Sequence, residues 1–82
     1  MKRSGFIQYL TDNGCLIIRE DKAGYCVIRN VINAKMSGVP ENDPLRLATV
    51  CRICKTLEIE PPDEARSAAE IVDFIHDQHS KK

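Results

Sequence analysis

The sequence predicts an α+β domain in which a helix, a three-stranded antiparallel meander and a second helix form two layers, with an added C-terminal helix. Three observations predict it. Two short runs rich in branched apolar residues, 15–19 and 25–29, flank a polar stretch that contains Gly24, which is the pattern of a hairpin. Apolar residues recur at helical spacing on both sides of that region. Glycine and proline punctuate the chain at Gly14, Gly24, Pro40, Pro44 and Pro61-Pro62. A chain of 82 residues is one domain's worth, and at that size only ~60% of the unfolded surface is buried.

Residues 4–13 read as the first helix. Ser4 is placed to cap it by accepting a backbone N–H, and Phe6, Ile7, Tyr9 and Leu10 make its apolar face. Asn13-Gly14 ends it, since glycine takes the left-handed cap conformation at little cost. Residues 15–19 and 25–29 are strands joined by the turn 20–24. The chain turns again at 30–33, although Val31 and Ile32 are unusually apolar for a turn. A third strand over 34–39 stops at Pro40. Strands joined this closely pair antiparallel.

Asp43-Pro44 is expected to open the second helix, with aspartate as cap and proline at the first helical position. Leu47, Val50, Cys51, Cys54 and Leu57 then form a buried stripe. Both helices are expected on one face of the sheet. Pro61-Pro62 breaks the chain, dividing it into a domain over 1–62 and an added segment over 63–82. In that segment, residues 63–76 read as a third helix with Ala68, Ile71, Val72 and Ile75 along one side. Such a stripe needs a cover, either its own sheet or helix or a second copy, so a homodimer through this helix is one expectation.

No apolar run approaches the ~18 residues of a membrane span. Lys2 and Arg3 are not followed by the long apolar stretch of a secretory leader. The expected location is therefore the cytoplasm, with no membrane partner. The formal net charge is zero, yet it is unevenly spread: residues 1–57 carry nine basic and five acidic side chains, and residues 58–82 carry three and seven. A basic body is compatible with RNA binding and equally with an ordinary solvated surface.

Several segments, taken in order, carry a resemblance. They are Met1-Lys2-Arg3-Ser4 leading a helix that closes at Asn13-Gly14-Cys15, Arg19-Glu20, Lys22-Ala23-Gly24, Arg29-Asn30, Val39-Pro40, Ile53-Cys54-Lys55-Thr56-Leu57 and Ile59-Glu60-Pro61-Pro62. The series over residues 1–62 resembles the HicA (YcfA-like) toxins of type II toxin–antitoxin systems. The resemblance implies a double-stranded-RNA-binding-like α-β-β-β-α fold, mRNA cleavage, and a HicB-like antitoxin protein that covers the cleavage site. It also implies a catalytic histidine after the hairpin glycine. Here that pair is Gly24-Tyr25, and the family's Arg-His after Val-Pro is replaced by Glu41-Asn42. The two histidines, His76 and His79, lie in the added segment.

Cutting RNA through its own 2′-OH needs a group that exchanges a proton near neutrality. Histidine, with an unperturbed pKa of ~6.5, does so, whereas tyrosine, at ~10, is a poor base. Tyr25 is thus the one catalytic candidate and a weak one, since it would need its pKa lowered by neighbours such as Lys22 or Arg29. Alternatively its ring stacks a base or packs across the strand pair. Lys22, Gly24, Tyr25, Arg29 and Lys35 are the RNA-binding candidates, the lysines and arginine through phosphate charge.

Cys51-Arg52-Ile53-Cys54 has the C-x-x-C form of zinc and redox sites. It has no second short-spaced pair, because Cys15 and Cys26 are far apart, and both cysteines fit the buried helical stripe. The expectation is four reduced core thiols, no metal and no cofactor. Three functions remain open: a HicA-like protein that binds RNA or an antitoxin-like protein with impaired cleavage, an active ribonuclease, or a protein-interaction or dimerisation module without an RNA role.

Overall fold

The computed structural model describes residues 1–66. Side-chain alternation sorts its middle section into two faces. The strands are β1 (Cys15–Glu20), β2 (Cys26–Asn30) and β3 (Met36–Val39), flanked by helices α1 (Arg3–Asp12) and α2 (Leu47–Leu57). The sheet is antiparallel in the order β1-β2-β3. Cys26 and Ile28 of β2, Val39 of β3 and Cys15 of β1 are buried on one face, where they join Phe6 and Leu10 of α1 and Val50, Ile53, Cys54 and Leu57 of α2 in a single core. Both helices therefore cover the same side. Phe6, Leu10, Ile28 and Leu57 are fully buried, each contributing ~1.5–3 kcal/mol by leaving water.

The other face is open. Two registered rows cross it: Leu16 beside Arg29 beside Met36, and Arg19 beside Val27 beside Gly38. A bulge between Ile17 and Arg19 shifts the β1–β2 ladder. Such irregularities kink an edge strand and deter stray pairing.

The helix starts depart from the sequence reading. Arg3, not Ser4, opens the α1 segment, and its flanking residue Lys2 makes no side-chain cap. The cap comes from a distance: Asp43 Oδ1 accepts the Arg3 backbone N–H at 3.0 Å, where the positive helix end favours a carboxylate. Asp43 is thus a cap, but not for the helix that follows it. The Asp43–Pro44 peptide is cis, and α2 begins only at Leu47. Leu45 is instead buried in the core, its N–H donating to the Met1 carbonyl at 2.8 Å.

The third strand begins at Met36 rather than residue 34, because Ala34 is in the left-handed region with φ 64°. That conformation closes a turn in which the Ala34 N–H donates to Asn30 O at 2.8 Å and the Asn30 N–H to Lys35 O at 2.9 Å. Two asparagines pin the turn to the end of α2. Asn30 Nδ2 donates to Leu57 O at 2.8 Å and Asn33 Nδ2 donates to the same oxygen at 3.1 Å, satisfying a helix-end carbonyl left without an intrahelical partner. The first helix closes as expected, with Gly14 at φ 89°.

Residues 63–66 are helical; the expected stripe of Ala68, Ile71, Val72 and Ile75 lies outside the described residues. Among the described residues no helix is long and apolar enough to cross a membrane.

Candidate functional site

The β1–β2 turn is built by one aspartate. Asp21 Oδ1 accepts the backbone N–H of Ala23 at 3.0 Å and of Tyr25 at 2.9 Å, the self-bonding that makes aspartate a turn former. The Asp21 N–H donates to Tyr25 O at 3.0 Å, and its carbonyl accepts Gly24 N–H at 3.1 Å. Gly24 sits at φ 92°, which a side chain would strain. Tyr25 is therefore the last residue of the turn, one position before β2.

Arg3 locks this turn to the body. Its Nε donates to Pro40 O at 2.8 Å, and its Nη2 donates to Gly24 O. One guanidinium thus holds the residue before Tyr25 and the residue after β3 together, as its planar fork allows.

The Tyr25 ring crosses from β2 to β3 on the open face. Its hydroxyl end fills the space above Gly38: a Cβ built on Gly38 would lie 1.7 Å from Tyr25 Oη. The ring packs across the strand pair and still leaves the residue 44% exposed. Among the described residues its hydroxyl has no hydrogen-bond partner. Gly38→Ala is expected to swing the phenol off its seat at a cost of at most ~1–3 kcal/mol, the usual range for overpacking. Loss of the cross-strand proton contact between the Tyr25 ring and residue 38 in NMR spectra would report it; an unmoved ring would refute it.

The candidate residues are only partly gathered. Gly24, Tyr25 and Lys22 meet at the hairpin, with Lys22 exposed. Arg29 is exposed on the same sheet face but in the far row, between Leu16 and Met36, four residues and ~13 Å along the strand from Tyr25. Lys35 is not part of this group. It leaves the β2–β3 turn toward α2, with its Nζ 3.9 Å from Glu58 Oε1, an exposed pairing of small energetic worth.

Sequence reasoning missed Gly38, Arg3 and the acidic surroundings. Asp21 is within the turn, its carboxylate on the Tyr25 N–H, and Glu41 Cβ would lie 3.5 Å from a Cβ on Gly24, so acidic residues as well as Lys22 belong to the surroundings of the hairpin. The signal for Gly38 was available, because a glycine inside a strand often marks a close approach.

The cysteines belong to the core. All four are free and buried. Cys54 is pushed up to about 12, first by burial and then by the neighbouring Cys51 and Cys15 thiols. Cys51 Sγ donates to Ala65 O at 3.2 Å. Among the described residues no group of three His, Cys, Asp or Glu is arranged to hold a metal. A thiol raised from 9.0 to about 12 in the fold ionises first in the unfolded chain, so its contribution to stability is full below the unfolded value and is lost as pH climbs toward the folded one. Urea midpoints should therefore fall on alkalinisation, and Cys54 should resist alkylation at neutral pH until the chain unfolds. Rapid labelling of the native protein at Cys54 would contradict this.

No protein-family model matches the chain, and no curated protein or solved structure matches it significantly.

Proposed function

We propose that this chain is a HicA-like module with a double-stranded-RNA-binding-like fold, which holds RNA against its hairpin and open sheet face and cuts it poorly or not at all. The observation that carries this reading is the half-exposed Tyr25 ring, seated on Gly38 on the face the helices leave uncovered, where the resemblance puts a catalytic histidine. A phenol so placed offers a π-face to a base, an interaction worth ~1–3 kcal/mol. It offers no proton acceptor suited to neutral pH. Lys22 supplies positive charge at the hairpin and Arg19 in the nearer sheet row, opposed by Asp21 and Glu41.

The test is retention of single-stranded RNA by the purified protein over a salt series. Binding should weaken with salt, as phosphate contacts require, and Tyr25→Ala should weaken it ~5–150-fold, the equivalent of one lost stacking contact. Salt-independent retention, or an unchanged affinity in Tyr25→Ala, would defeat the proposal.

A further inference from the structure

We infer that the end of the open sheet face remote from Tyr25 is a docking surface for an acidic amphipathic helix of another protein. The surface is aliphatic. Leu16 and Met36 flank Arg29 in one registered row, and Val31 and Ile32 extend it onto the β2–β3 turn. Their exposures are 57%, 50%, 52% and, for Ile32, 87%. Scattered exposed aliphatics are ordinary, whereas a contiguous group rimmed by charge marks an interaction site.

The turn that raises Ile32 is rigid. Asn30 Oδ1 accepts the Ile32 N–H at 3.0 Å, Asn33 Oδ1 accepts the Lys35 N–H at 2.9 Å, and both amides anchor on Leu57 O. The Val31 N–H adds a bond to Gly14 O at 3.2 Å. An aliphatic group held in water on a pinned turn loses little entropy when a partner covers it.

Charge selects the occupant. Arg29 lies in the middle of the patch and Arg19 in the next row; among the described residues neither makes an ion pair. Neither row holds a carboxylate. A second copy would bring the same patch against itself, setting arginine against arginine at a like-charge cost. Aliphatic side chains give a nucleic-acid base nothing to stack on, so this end suits protein rather than RNA. A helix is the natural cover for an apolar sheet face, and carboxylates beside its apolar stripe would meet Arg19 and Arg29.

The probe is a short synthetic amphipathic helix with a leucine stripe flanked by glutamates, compared with the same peptide carrying lysines. Binding is read by fluorescence anisotropy and by methyl NMR shifts. The glutamate peptide should bind, shifting Leu16, Met36 and Ile32 methyls, and the lysine peptide should bind at least about tenfold more weakly. Ile32→Asp and Arg29→Glu should each cost about tenfold in affinity. Both side chains are exposed, so melting curves should show each variant folded. Failure of the glutamate peptide to bind, equal binding of the lysine peptide, or unchanged affinity in both variants would overturn the inference. Dimerisation of the protein abolished by Ile32→Asp, or displacement of the peptide by RNA from those same methyls, would overturn it too. Because the patch and its readout exclude Tyr25, these outcomes are independent of RNA binding at the hairpin.

Discussion

Tyr25→His is expected to raise RNA cleavage by ~10²–10⁴-fold, the usual contribution of a well-placed general acid–base group. The backbone at this position is already set: Asp21 holds the Tyr25 N–H, and Arg3 holds the preceding carbonyl. A change of side chain therefore alters the chemistry without rebuilding the turn. An imidazole exchanges a proton near neutrality, and its smaller ring does not press on Gly38. Cleavage of a labelled RNA by purified wild type, Tyr25→His and Tyr25→Phe measures it. The wild type and Tyr25→Phe should be alike and slow. Rapid cutting by the wild type that disappears in Tyr25→Phe would instead make the phenol itself the catalyst and reverse the reading of the site.

Asn30→Ala is expected to destabilise the fold by ~2–3 kcal/mol. The side chain is buried and uses both ends of its amide, donating to Leu57 O and accepting from Ile32 N–H. Removing it leaves a helix-end carbonyl leaning on Asn33 alone and a part-buried Ile32 N–H without its acceptor, where a buried group left wholly unpaired costs ~1–3 kcal/mol. For a domain of this size 1 kcal/mol shifts Tm by ~4–8 °C, so a fall of ~8–24 °C is expected. Asn30→Asp should be at least as harmful, because a carboxylate keeps the acceptor for Ile32 but faces the Leu57 carbonyl without a donor. A melting temperature within error of wild type in Asn30→Ala would show that Asn33 carries the anchor unaided.

These two residues differ in how they could be found. Tyr25 is legible locally, since Gly24 and Tyr25 follow a polar turn between two apolar runs. The anchoring role of Asn30 is not, because its partner Leu57 lies 27 residues away. The same division runs through the fold. The helical stripe of Val50, Cys51, Cys54 and Leu57, the two long strands and the glycine closing α1 all follow from spacing within a few residues. Asp43 was assigned to the wrong helix for a physical reason: a capping carboxylate serves any exposed helix start that comes within reach, and the one it reaches begins 40 residues earlier at Arg3. The shortened third strand has a comparable origin, as Ala34 accepts a left-handed backbone in exchange for the bonds that close the turn.

Period and punctuation within the chain were enough to order the elements and to place a tyrosine after the hairpin glycine, since a strand's alternation and a helix's stripe depend only on near neighbours. Which face Tyr25 occupies, that Gly38 is its seat, that Arg3 clasps the turn and that Lys35 is drawn away to Glu58 all depend on groups 13 or more residues apart in the chain meeting in space. Those meetings follow from strand register and from where each helix lies along the sheet, which no local pattern encodes.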